Sequence, residues 1–134
     1  MNASSGLQWT MRILSALVLL VVGGIHLFLV FDGVGGLLGV MFVLNAIAAV
    51  VLTIGMLALR GRLVQICVVL SLLFVIATLA ALLLALTVGL PFNIHETWTF
   101  TLVPQTVIIE SVGIVILAIA TAVLVRTPKR VAVA

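Results

Sequence analysis

Long apolar runs separated by short polar stretches dominate this chain. They cover about Ile13–Phe31, Leu37–Leu59, Leu63–Leu90 and Leu102–Val125. As α-helices rising about 1.5 Å per residue, all four are long enough to cross the roughly 30 Å hydrocarbon core of a bilayer. The pattern predicts an all-α, up-down four-helix transmembrane bundle, formed as a single domain over residues 1–134.

The polar stretches predict how the helices are connected. Glycines in residues 32–36 and in Arg60-Gly61-Arg62 favour tight turns, so helices 2 and 3 should pack as antiparallel neighbours. In the longer loop, residues 91–101, Asn93 and Glu96 have capping-box spacing, which predicts a short interfacial helix there. Pro104 is expected either to kink this segment into helix 4 or to lie in the first turn of that helix.

Two further sequence features concern the packing of helix 3 and the start of helix 1. Ala77, Ala81 and Ala85 recur at four-residue spacing, which favours close packing of helix 3. Residues 1–10 are expected to be a poorly ordered polar lead apart from Trp9. Because no small-residue cleavage motif follows the first apolar run, that run is interpreted as an uncleaved transmembrane helix.

Composition agrees with a membrane protein and excludes several other classes. Hydrophobic residues make up 66% of the chain and charged residues 7%, whereas soluble domains average about 25% charged residues. The basic residues form no continuous patch with interleaved aromatics, so no nucleic-acid partner is expected. The single cysteine, Cys67, permits neither an internal disulfide nor a C-x-x-C redox pair and is interpreted as a small packing residue.

The charges are segregated between the two sides of the predicted bundle. If the runs alternate in direction, all six Lys and Arg residues fall on one side: Arg12, Arg60, Arg62, Arg126, Lys129 and Arg130. Asp32 and Glu96 fall on the other side. The positive-inside rule then places both termini in the cytoplasm and the protein in the cytoplasmic (inner) cell membrane. Trp9 and Trp98 are expected to be interfacial anchors, one on each side.

Glu110 is the one charged residue that lies inside an apolar run. It is about 12 Å from the outer end of helix 4, while His26 and Asn45 lie at similar depths on helices 1 and 2. An ionised carboxylate facing lipid costs at least about 2.5 kcal/mol, so Glu110 should face the bundle interior. We therefore predict an intramembrane polar cluster of His26, Asn45 and Glu110, with Thr78 nearby.

This cluster has three interpretations. A Glu–His or Glu–Asn hydrogen bond can simply fix helix register, contributing about 1 kcal/mol. Alternatively, the cluster passes protons, binds a cation or holds a polar head group. In the third interpretation it contacts a partner subunit.

His95 and Glu96 form a second candidate site in the outer loop. Two adjacent residues do not complete a metal site, and a solvated loop or cap is the simpler interpretation. Haem would need His26 and His95 as axial ligands, and His95 lies too far out. Neither a catalytic nor a cofactor motif is present, so no metal and no cofactor is expected.

Several segments together resemble a known group of proteins. Gly24-Ile25-His26-Leu27, the glycine-rich turn and Met41–Ala46 are similar to elements of small, functionally uncharacterised actinobacterial four-helix membrane proteins. Gly89-Leu90-Pro91-Phe92 followed by Glu96 is similar to their outer loop. The chain also resembles DoxX-type proteins in size and layout. The resemblance implies a fold and a membrane location, and no activity.

The function expected from these features is that of a multi-pass membrane protein without enzymatic activity. We expect an accessory or assembly subunit that meets partner membrane subunits or associates with itself. The alternative is a small homo-oligomeric transporter or channel that uses His26, Asn45 and Glu110. A third reading is an enzyme acting on lipid or quinone, with a site built from His95, Glu96 and Trp98.

Overall fold

The computed structural model describes residues 3–126, with side chains from residue 5 onward, and contains four long helices. They are α1 (Ala3–Phe31), α2 (Gly36–Ala58), α3 (Arg62–Leu86) and α4 (Val103–Val125), with one 3₁₀ turn at Pro91–Asn93. All four are long and apolar enough to cross a membrane. The predicted all-α four-helix architecture is therefore confirmed, and it fits a multi-pass membrane protein.

Two helix ends differ from the sequence prediction. The polar lead is helical from Ala3, because nothing in it breaks a helix and its hydroxyls bond within the helix, as Thr10 Oγ1 does to Gly6 O at 3.0 Å. Helix α3 ends at Leu86 instead of Leu90. There the N–H groups of Thr87 and Gly89 both bond to Leu84 O, and Gly89 reverses the chain with φ of +88°.

Helix α1 packs extensively against both α2 and α4 and only slightly against α3. It approaches α2 closely at Gly23, where an added Cβ would come within 2.6 Å of Ala49 Cβ. It approaches α4 closely at Gly113 of that helix, where an added Cβ would meet Val18 Cγ1 at 2.7 Å. Helix α4 also packs on α3, whereas α2 and α3 contact each other only sparsely.

We call one end of the bundle the basic end, defined by Arg12, Arg60, Arg62 and Arg126, and the other the loop end, defined by Asp32 and residues 87–102. Lys129 and Arg130 lie outside the described residues. From mid-bundle to the basic end the interior is tightly filled by fully buried side chains. The largest of these apolar side chains are Leu19, Val22, Met56, Val68, Val75 and Leu117.

At the basic end, polar contacts hold α2 to its neighbours. Arg12 Nε donates to Met56 O at 2.7 Å and Nη2 donates to Leu59 O at 2.6 Å. These bonds satisfy carbonyls at the C-terminal end of α2 and place a cation near the negative end of its dipole. Cys67 Sγ donates to Leu52 O at 3.4 Å, which joins α3 to α2 close to their tight turn.

Residues 87–102, which we call the loop-end segment, fold back over the C-terminal end of α3. Leu90 N–H bonds to Ile94 O at 2.8 Å, and Glu96 N–H bonds to Ala85 O at 3.0 Å. The prediction of a short interfacial helix in residues 91–101 is wrong in its extent, because only the 3₁₀ turn Pro91–Asn93 forms there. Asn93 adopts φ of +57° instead of capping a helix. Pro104 lies in the first turn of α4, one of the two predicted positions.

Candidate functional site

The loop-end half of the bundle contains a partly open cavity of about 250 Å³, which we call the inner cavity. It lies where α2 and α3 diverge, and α1, α4 and the loop-end segment complete its walls. Most of its lining is aliphatic or aromatic. Its polar lining residues are His26, Asn45, Thr78, Glu96, Thr101, Thr106 and Glu110.

His26, Asn45 and Glu110 all line this inner cavity, each from a different helix. Among the described residues no hydrogen bond or ion pair is found between any two of the three. The Glu–His or Glu–Asn bond that would fix helix register is therefore not formed in this structure. Instead the three side chains are exposed to a common space.

Glu110 is 1% exposed and is held by α3. Thr78 Oγ1 lies 2.9 Å from Glu110 Oε1 and 3.0 Å from Val75 O. A hydroxyl has one proton, so Thr78 donates either to the carboxylate or to the carbonyl. If Glu110 is protonated, it donates to Thr78 while Thr78 donates to Val75 O. The pair thus accommodates both protonation states of Glu110.

Three helices contribute hydrogen-bond acceptors to the lining of the inner cavity. Glu110 Oε2 and Asn45 Oδ1 are buried and have no hydrogen-bond partner among the described residues. His26 Nδ1 lies 2.7 Å from Val22 O, and a carbonyl only accepts, so Nδ1 carries a proton. In the neutral ring, Nε2 is then an acceptor. Phe42 fixes the imidazole edge-on, with ring centroids 4.9 Å apart.

A second cavity of about 560 Å³, the outer cavity, opens at the loop end. Asp32, His95 and Glu96 contribute its titratable groups. It shares Leu38, Glu96, Phe100 and Thr101 with the inner cavity, so the two cavities are adjacent. Burial raises the pKa of the Glu96 carboxyl above its ordinary value. Glu96 is thus a half-buried acid at the boundary.

The candidate pair in the outer loop is divided between the cavities. His95 lines only the outer cavity and packs its ring against Gly89, whereas Glu96 lines both. Within residues 3–126, no three His, Cys, Asp or Glu side chains come together as metal ligands. His26 and His95 line different cavities, so the pair does not form a bis-histidine haem pocket.

The two tryptophans lie at opposite ends of the bundle. Trp9 is 44% exposed at the basic end, where its ring stacks 4.5 Å from the Arg12 guanidinium carbon, and Trp98 is 54% exposed at the loop end. These are positions that interfacial anchors occupy. Their anchoring role stays a prediction.

Sequence reasoning missed two parts of the site. The small residues Ala77, Ala81 and Ala85 line the inner cavity, where their short side chains leave space. Their four-residue spacing was the available signal, although it also fits close packing. No pattern in the loop indicated that Glu96 would reach the inner cavity, because its position depends on the backbone bond to Ala85.

Comparisons with protein-family models, curated proteins and solved structures found no match to this chain. The resemblance to the small actinobacterial membrane proteins and to DoxX-type proteins therefore stays a prediction.

Proposed function

We propose that this multi-pass membrane protein is a small carrier that binds a proton or cation in the inner cavity through His26, Asn45 and Glu110. The observation that carries the proposal is Glu110 itself. Its carboxyl is fully buried, and one of its oxygens has no partner among the described residues while it lines a cavity. Buried polar atoms are rarely left unpaired unless they serve a function.

The distribution of space favours a carrier over an open pore. The inner cavity adjoins the outer cavity at the loop end, whereas fully buried side chains fill the described core between it and the basic end. Passage would therefore require a rearrangement of helices. The sparse contact between α2 and α3, with their polar connection near the basic end, makes this pair the natural place for such a movement.

Proton or cation flux into proteoliposomes, followed with an entrapped pH-sensitive dye, tests the proposal. Glu110→Gln keeps the size of the side chain and an oxygen that can accept from Thr78, but it removes the charge and the titratable proton. We expect this variant to abolish flux. Ser111→Ala is the matched control on α4, because Ser111 is exposed and bonds only to Val107 O of its own helix. Unchanged flux in Glu110→Gln would exclude the carrier.

An accessory or assembly subunit is the second candidate. It is supported by the shortness of the connections in residues 3–126, which place little of this part of the chain outside the four helices. Purification at native expression level in a mild detergent, followed by mass spectrometry, separates the two functions. A stoichiometric partner would favour a subunit, whereas a protein that purifies only with itself would favour a homo-oligomeric carrier.

A further inference from the structure

The side chains around the two cavities that can carry a charge include three acids and no permanent cation. Asp32, Glu96 and Glu110 line them, and no Lys or Arg is present among the described residues of either lining. The only other titratable side chains there are His26 and His95. Acidic groups placed in succession from the outer cavity to the inner one attract cations and oppose anions.

The hydrogen-bonding groups in the inner cavity also select a type of ligand. Glu110 Oε2 and Asn45 Oδ1 are buried acceptors without a partner among the described residues, and the neutral imidazole of His26 adds Nε2 as a third acceptor. A ligand that satisfies them must bring donors. A primary ammonium carries three N–H donors, whereas a carboxylate or phosphate would add further acceptors.

The remaining lining argues against a bare inorganic ion. Hard cations are usually held by six or more oxygen ligands, whereas only two buried oxygens in this lining, Glu110 Oε2 and Asn45 Oδ1, lack a partner among the described residues. Most of its wall is aliphatic or aromatic, with Phe42, Phe74 and Phe100 among the lining residues. Such a wall suits an apolar body attached to the cationic group, and aromatic faces attract cations.

We infer that the inner cavity takes an organic monocation, a primary ammonium joined to a small apolar group, with the ammonium directed at Glu110 and Asn45 and the apolar group against the phenylalanines. This inference rests on the proposed binding role of the inner cavity and names its substrate class. The ligand enters from the loop end, past Asp32 and Glu96, once Leu38 and Phe100 move apart.

A matched set of probes tests this substrate class. 2-Phenylethylammonium, 2-phenylethanol and phenylacetate share an aromatic ring but are cationic, neutral and anionic. Binding to the purified full-length protein in detergent is measured by isothermal titration calorimetry, with protein-free micelles as the blank for partitioning. We expect the ammonium to bind at least about tenfold more tightly than the alcohol, and phenylacetate not to bind, because a desolvated charge must be paired.

Two variants locate the binding site. Glu110→Gln should weaken ammonium binding by at least about tenfold. Ala81→Leu should also weaken it, because Ala81 lines the inner cavity and a larger side chain there removes space without changing a charge. Gel filtration and thermal unfolding establish whether each variant is folded. If one variant is not folded, binding to the other variant decides whether the ammonium occupies the inner cavity.

Several outcomes would overturn the inference. If both folded variants bind the ammonium as tightly as wild type does, the cation binds outside the inner cavity. If the alcohol binds as tightly as the ammonium, the ligand class is a neutral hydrogen-bond donor instead of a cation. The cavity would still be a binding site. If none of the probes binds, the substrate class is wrong, and the separate flux measurement on Glu110→Gln still decides whether the carrier function stands.

Discussion

Glu110 performs two tasks with its two carboxyl oxygens. One oxygen meets the Thr78 hydroxyl and so joins α4 to α3, while the other lines the inner cavity without a partner in the described structure. The sequence could predict that Glu110 faces inward, because a carboxylate in lipid is costly. It could not predict Thr78 as the partner, since that depends on the relative rotation of two helices.

Removing the Thr78 hydroxyl should destabilise the bundle. Thr78→Val keeps the shape of the side chain but leaves both Glu110 oxygens without a partner, and interhelical hydrogen bonds of this kind contribute about 0.6–1.7 kcal/mol. We expect a loss of about 1 kcal/mol in the free energy of unfolding, measured by denaturant titration in detergent. Thr78→Ser, which retains the hydroxyl, should stay closer to wild type. Equal stability of all three proteins would contradict this role.

Glu96 should make stability depend on pH. Burial raises the pKa of its carboxyl in the folded protein, so the folded state holds a proton that the unfolded chain has already released. Stability is therefore greatest below the ordinary carboxyl pKa and falls as the pH rises through the raised one. Thermal unfolding across this interval should show the decline in wild type and a flatter profile in Glu96→Gln.

The control for this pH dependence lies in the same outer cavity. Asp32 is an exposed carboxylate, so Asp32→Asn changes the net charge equally without affecting a buried group. We expect Asp32→Asn to keep the wild-type decline. If it flattens the profile as much as Glu96→Gln does, overall charge and not burial of Glu96 sets the pH dependence.

At the scale of helices, long apolar runs were sufficient to predict the number and type of elements but not their ends. Helix α1 includes residues 3–12, which precede the first apolar run, because polar side chains do not by themselves break a helix. Val88 and Leu90 lie beyond α3 although they are apolar, because Gly89 and the loop hydrogen bonds turn the chain first. A tight turn also constrains only the adjoining helix ends, which explains why α2 and α3 diverge to form the inner cavity.

Adjacent glycines in α1 provide a matched test of helix packing. At Gly23 an added methyl would lie 2.6 Å from Ala49 Cβ, which has no rotamer with which to move away, so α1 and α2 must separate. At Gly24 an added methyl meets nothing within 4 Å. We expect Gly23→Ala to lower the thermal unfolding temperature.

The neighbouring substitution should have a different effect. Alanine is favoured over glycine in helices by about 1 kcal/mol, so Gly24→Ala should be neutral or stabilising. Both proteins are compared with wild type by thermal unfolding in the same detergent. Similar unfolding temperatures for Gly23→Ala and Gly24→Ala would show that the close approach of α1 and α2 contributes little to stability.

At the scale of the whole molecule, packing and charge divide the bundle into two unlike halves. The basic end has a filled core and helix-capping contacts from Arg12, while the loop end has two cavities whose linings include acidic side chains. The charge asymmetry was visible in the sequence, because it depends only on alternating helix direction. The position of the cavities was not, since they arise where helices fail to meet.

The same asymmetry predicts the orientation in the membrane. All six Lys and Arg residues lie outside residues 13–59 and 63–125, and the positive-inside rule places such a basic end in the cytoplasm. A fluorescent protein fused to the C-terminus should fluoresce, and alkaline phosphatase at the same position should be inactive. In a Cys67→Ser background, Thr97→Cys should react with a membrane-impermeant maleimide on intact cells. An active phosphatase fusion together with an unreactive Thr97→Cys would reverse the orientation, and the inner cavity would then open to the cytoplasm.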